Sequence, residues 1–307
     1  MIEPEKLKEL SDIIVREMST SNKNLLSIFP IPKYIEHIER YPKLSNYGYV
    51  SQEVEDLIKG IVYSNGQQML ELYHQLILLN LILIARNKIE KKDFPQDTKN
   101  LYNSNFERIT KEIESRNQIG SYNYAHDKFR KDLAVCSLRM IPAGAQKINL
   151  TGISRRFLLK KGLFQCIKGI MFALYELGGF HPLYEMHTDS NDPELMAEFN
   201  EDGWIKFYRR VSELLKIQPD VKGVFGGSWF FDPELEKISP RLVYLRKIVT
   251  DNGGKLFYLG CDSQSIKDAT RKSPKRRKLY EENKYMPTSY LLIWPRKKLI
   301  SWADGEK

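Results

Sequence analysis

Three segments decide the reading of this chain: His181-Pro-Leu-Tyr-Glu-Met-His-Thr-Asp189, Val221-Lys-Gly-Val-Phe-Gly-Gly-Ser228 and Lys255-Leu-Phe-Tyr-Leu-Gly-Cys-Asp-Ser263. Each is a short apolar run that ends in small or polar residues able to do chemistry, and stretches with helical start signals separate them. In open α/β sheets the carboxyl ends of the strands face the ligand crevice. The pattern therefore predicts three strand ends converging on one pocket.

Working outward, the helix signals are physical ones. Asp192-Pro-Glu and Asp232-Pro-Glu each place an N-cap acceptor before a proline whose φ suits the first helical turn. Ser239-Pro240 repeats the arrangement, and Asn252-Gly-Gly254 stops that helix. Leu133–Ile141 reads as a strand before Pro142, Arg155–Leu177 as a long helix closed by Gly178-Gly179, and Ser289–Trp294 and Leu299–Trp302 as two last strands. Before about residue 131 the apolar spacing is helical instead. Leu7, Leu10, Ile13, Ile14 and Met18 form one face, Ser51 caps a helix, and Gln67–Ile89 is apolar nearly all round, past a break at Asn65-Gly66. The expected fold class is α/β: a mixed sheet with strand–helix alternation in residues 131–307, preceded by an all-helical N-terminal region over 1–130.

Composition bounds the function classes. A chain of 307 residues with 42% hydrophobic and 28% charged residues is an ordinary globular sequence. Its formal net charge of +9 favours an acidic or phosphorylated partner. Cys136, Cys166 and Cys261 are scattered, with no CxxC pair, and no His/Cys cluster has metal-ligand spacing. Reduced thiols, an acidic polar start (Met1-Ile-Glu-Pro-Glu-Lys) and a longest apolar run of Leu76–Ala85, about half a bilayer span, predict a cytoplasmic protein without a membrane span.

Among single residues, His187 with Asp189 is the best acid–base candidate, because a histidine at a strand end beside a carboxylate is poised near neutral pH. Gly226-Gly227 before Ser228 lets a ligand approach the backbone closely, although Trp229 and Phe230 break the Gly-x-Ser-x-Gly pattern of a nucleophile elbow. Cys261 could be a thiolate at a helix start, but it has no base near it in sequence. Arg271-Lys-Ser-Pro-Lys-Arg-Arg-Lys278 is the densest cationic run, able to hold phosphates through Arg276 and Arg277. It has no interleaved aromatics, so nucleic acid is not specifically signalled.

The segment Arg277-Lys-Leu-Tyr-Glu-Glu-Asn-Lys-Tyr-Met-Pro-Thr-Ser-Tyr-Leu-Leu-Ile-Trp294 resembles the late helix and strand of the GNAT superfamily of acyltransferases, and the element order from Val221 onward (about residues 221–302) is similar to that superfamily's second half. The resemblance implies acyl-coenzyme A as co-substrate, with no covalently bound cofactor, and Tyr280 as the phenol that protonates the departing thiolate. The superfamily's glycine-bearing pyrophosphate loop has no counterpart in Asp232–Arg246, which contains no glycine. The backbone at Ser239 and Arg241, at a helix start, is expected to take the phosphate instead.

The leading expectation is an acyltransferase-like enzyme that moves an acyl group from a thioester, on coenzyme A or a carrier protein, to an amine or hydroxyl. His187 with Asp189 would be the base, and Gly226-Gly227-Ser228 the oxyanion donors. One alternative is a hydrolase with Ser228 or Cys261 as nucleophile. The other is a non-enzymatic binder of a phosphorylated or nucleic-acid partner through 271–278.

Overall fold

The computed structural model describes residues 3–116, 120–190 and 192–305. Met1 and Ile2, part of the start read against a leader, lie outside the described residues. The chain separates into two compact units. One runs to Ala143 and includes Lys147–Leu150; the other holds Gly144–Gln146 and continues from Thr151.

The first unit is helical: α1 Pro4–Ser21, α2 Leu25–Ile28, α3 Ile31–Glu39, α4 Gln52–Glu90, α5 Gln96–Ser115 and α6 Asp127–Cys136. Two short antiparallel strands follow, β1 Met140–Pro142 and β2 Lys147–Thr151, with Ile141 opposite Ile148. Ser51 caps α4 by accepting from the Val54 N–H, and Gly66, at φ +81°, kinks that helix where the Asn65-Gly66 break was expected. α4 is long and apolar enough to cross a membrane, yet 67% of its most apolar window is buried within the protein, as in a core helix. The strand expected over Leu133–Ile141 is corrected. Its first half is the last turn of α6, and only Met140–Pro142 is extended. A short run apolar on every side does not distinguish strand from buried helix.

The second unit is α/β. A 3-10 turn (Arg155–Leu159), α7 Gly162–Phe172 and a π turn (Ala173–Leu177) lead to Gly178, whose φ of +77° ends the helix. Then come β3 Leu183–His187, α8 Pro193–Ala197, α9 Glu201–Ile217, β4 Gly223–Ser228, a 3-10 turn Trp229–Phe231, α10 Leu235–Ile238, a 3-10 turn Pro240–Leu242, α11 Tyr244–Thr250, β5 Lys255–Gly260, α12 Ser263–Arg271, α13 Pro274–Glu281, β6 Ser289–Pro295 and α14 Arg296–Ala303. Asp192, Asn200, Asp262 and Ser273 cap α8, α9, α12 and α13 with side-chain oxygens. Leu299–Trp302 is helix, not the second of two last strands. Pro295 starts α14, and Leu299 buries its inner face.

Within this unit the strand order is β3-β4-β6-β5. β3 and β4 are parallel, and β6 lies antiparallel between β4 and β5. β3, β4 and β5 therefore all point their carboxyl ends the same way. Alternation gives the sheet two faces. Leu183, Phe225, Phe257, Leu291 and Ile293 pack with Phe157, Leu158, Phe172 and Leu177 from the α7 region. On the opposite face Trp294 meets Tyr208 and Trp302 at centroid distances of 4.9 and 5.0 Å. Each fully buried apolar side chain contributes about 1.5–3 kcal/mol, so both layers are strongly held to the sheet.

Candidate active site at the ends of β3 and β4

The parallel register pairs Tyr184 with Val224 and Glu185 with Phe225. Among the described residues this ladder runs no further, although β3 continues to His187 and β4 to Ser228. The strands nevertheless stay side by side beyond that pair, a Cβ at Gly226 falling 3.4 Å from Met186 Cβ.

His187 stands on the same face of β3 as Glu185, two residues back. Its Nε2 lies 3.7 Å from Glu185 Oε2. Burial pushes the Glu185 carboxyl up to about 7, so near neutral pH it exchanges a proton readily. Asp189, the carboxylate expected to assist His187, is buried in the turn after β3, where its backbone carbonyl accepts the Asp192 N–H at 3.1 Å. Thr188 between them donates its hydroxyl to Gln146 Oε1 at 3.0 Å.

On β4, Gly226 is buried, and a Cβ there would come within 2.7 Å of Met186 Cε, so glycine is needed for packing. Gly227 is exposed and shares the face of Glu185 and His187. Ser228 and its β6 partner Tyr290 lie on the other face. The Ser228 Oγ accepts the Phe230 N–H at 3.1 Å, capping the turn after β4. Burial raises the Tyr290 phenol and the charges of Asp232, Tyr258 and Glu234 add to it, so it remains a protonated donor. Asp232 is the buried cap of the next turn, accepting from the N–H groups of Glu234 (3.0 Å) and Thr288 (3.1 Å).

The basic candidates separate. Arg276 is buried, with Nε donating to the Ala269 carbonyl at 2.6 Å, Nη1 to Ser239 Oγ at 3.1 Å, and its guanidinium 4.8 Å over the Trp229 ring. It ties α12 and α13 to Trp229 and Ser239, and that occupies the Ser239 hydroxyl as well. Arg277 and Arg241 are exposed, with one Arg277 Nη donating to the Arg271 carbonyl at 3.0 Å. Tyr280 is half-buried on α13.

Neither nucleophile is activated. Burial and the charge of Asp262 push the Cys261 thiol up, the reverse of what a thiolate needs. Ser228 leaves the face opposite His187, against a Ser–His pair.

Two residues escaped the sequence reading. Glu185 carries a signal that was there to use, the period of two that sets it beside His187. Tyr290 carries none, because its position opposite Ser228 depends on β6 inserting between β4 and β5.

No family model matches the chain, and no curated protein matches it. Among solved structures it is similar to an acyltransferase in complex with decanoyl-CoA, at 12% identity and TM-score 0.48, covering 86% of this chain and 76% of that one. An acyltransferase in complex with decanoyl-CoA and teicoplanin gives 12% and 0.48 with 90% and 80% covered. One in complex with CoA and 10C-teicoplanin gives 12% and 0.43 with 94% and 77% covered. Identity and superposition are too low for this likeness to speak to the reaction of the present chain.

Proposed function

We propose that the protein is a cytoplasmic acyltransferase that takes an acyl group from a thioester, acyl-coenzyme A or the same arm on a carrier protein, and gives it to an amine or hydroxyl. The observation that carries this reading is the His187–Glu185 pair, 3.7 Å apart, on the same sheet face as exposed Gly227 at the carboxyl ends of β3 and β4. A linear arm laid over these strand ends brings its thioester to that pair and to the backbone of Gly227. Exposed Arg277 and Arg241 supply cations for phosphates at the far end of such an arm.

In the reaction the acceptor's nucleophilic atom attacks the thioester carbonyl while His187, backed by Glu185, takes its proton. The N–H of Gly227 stabilises the tetrahedral oxyanion. The carbon–sulfur bond then breaks, and the thiolate takes a proton from a phenol. Tyr290 supports that role by its position opposite Ser228, and Tyr280 is the rival donor. Calorimetry with acyl-coenzyme A and with acylated carrier protein, together with thiol release in the presence of amine and hydroxyl acceptors, tests the proposal. Absence of both binding and release removes it.

A further inference from the structure

The α7 region is apolar on every side, yet only one side of it is covered. Gln165, Gly169 and Phe172, with Ala173 and Leu177 in the π turn, face the protein. The opposite side exposes Leu163 (75%), Phe164 (80%), Ile167 (50%), Met171 (54%), Leu174 (69%) and Tyr175 (82%). At 3.6 residues per turn these side chains form one stripe of roughly 120°. An aromatic side chain covers roughly 150–250 Å² when buried, so Phe164 and Tyr175 alone approach the largest apolar patch of a typical monomer, about 300–600 Å². Packing within the unit gives no reason for this surface, because the core contacts all lie on the inner side.

The surrounding charge selects the occupant. Between residues 155 and 177 the cations are Arg155, Arg156, Lys160, Lys161 and Lys168, and the one acid is Glu176. Glu176 lies 3.9 Å from Lys255 Nζ. Lys168 and Lys161 fall at the margin of the stripe, not within it, and Arg155 and Arg156 are exposed on the preceding turn. We infer that this face docks on the surface of an anionic lipid bilayer, Leu163, Phe164, Ile167, Met171 and Leu174 entering the boundary of the acyl chains while the marginal lysines and arginines reach the phosphates. An interfacial helix needs that division between an apolar face and flanking cations. Long cationic side chains extend toward headgroups while their stems stay in apolar surroundings. A second copy of the chain would bring the same positive rim against itself, which opposes self-docking. An acidic protein would need its cations inside the contact, where this stripe has none. The inference holds whatever reaction the strand ends perform.

The test is co-sedimentation with phosphatidylcholine vesicles, with and without phosphatidylglycerol, across a salt series. The protein should sediment with the anionic vesicles and be released by salt. Phe164→Gln with Leu174→Gln should lower partitioning about tenfold or more, since two deeply inserted apolar groups are lost. Arg156→Gln with Lys168→Gln should lower it about fivefold per charge and flatten the salt dependence. All four side chains are exposed, and unchanged thermal melts would show that the variants fold. Equal binding to neutral vesicles, or no loss in either variant, overturns the inference. So does a dimer in sedimentation velocity, or capture of acyl carrier protein, that Phe164→Gln with Leu174→Gln abolishes while vesicles bind nothing.

Discussion

The two units handle buried titrating groups in opposite ways. In the helical unit His74 and Asp132 are closed in and satisfied. His74 is fully buried between the Tyr34 hydroxyl and the Tyr122 carbonyl, each at 2.8 Å, and burial holds its pKa down at about 4. Its Nδ1–H donates to that carbonyl, which leaves Nε2 to accept the phenol proton of Tyr34. Burial alone would raise Asp132, but Arg108, Lys128 and Lys147 overcome it and hold the carboxyl well below the usual range. At the end of β3 the perturbed group is Glu185, left only partly buried, with His187 3.7 Å away and exposed Gly227 on the same face. A perturbed pKa by itself does not mark a site. What distinguishes the two cases is whether the group can still reach something from outside.

The sharpest way to break that contrast is to remove His187. His187→Ala should lower turnover about 10²–10⁴-fold in the thiol-release assay with little change in thioester affinity by calorimetry. Equal turnover would reduce the pair to a packing feature. In the helical unit the readout is stability. Asp132→Asn should cost about 1–3 kcal/mol in urea unfolding, because Arg108 and Lys128 would lose one buried carboxylate partner and keep Glu112.

Next is pH dependence through Glu185. Its pKa is raised in the folded protein, so its stabilising contribution is complete below the unfolded value near 4.5 and is lost as pH rises through about 7. Melting temperature should fall over that window in the wild type, and Glu185→Gln should flatten the fall. Turnover should move the other way, rising toward pH 7 as the carboxyl ionises and can back His187. The smallest effect concerns the phenol. Tyr290→Phe should reduce turnover about tenfold without changing thioester binding, and Tyr280→Phe serves as the comparison. If only Tyr280→Phe slows the reaction, the proton comes from α13 instead of β6.

Much of this was legible in the sequence. The caps at Ser51 and Asp192 and the Gly178 stop marked boundaries, because each is a local hydrogen-bonding or φ requirement. The strand ends at His187 and Ser228 followed from apolar runs bounded by polar residues. The failures were of a different kind. Leu133–Cys136 and Leu299–Trp302 are short apolar runs whose state is set by what packs around them. Arg276 looked like half of an exposed cationic pair, and only the fold reveals Trp229 beneath its guanidinium. The position of Tyr290 beside Ser228 is a property of strand order, which no local pattern encodes.

Gln165 has a consequence for solubility. β5 is the last strand in the order, and the Gln165 side chain bonds both the N–H and the C=O of Tyr258, each at 3.0 Å, as a neighbouring strand would. One amide thus blunts an open sheet edge, the element through which β proteins recruit their own kind into aggregates. The same residue latches down the helix whose outer surface is the stickiest in the unit. Its loss would unmask edge and grease together, so Gln165→Ala should reveal itself as turbidity on gentle warming before any change in catalysis is seen.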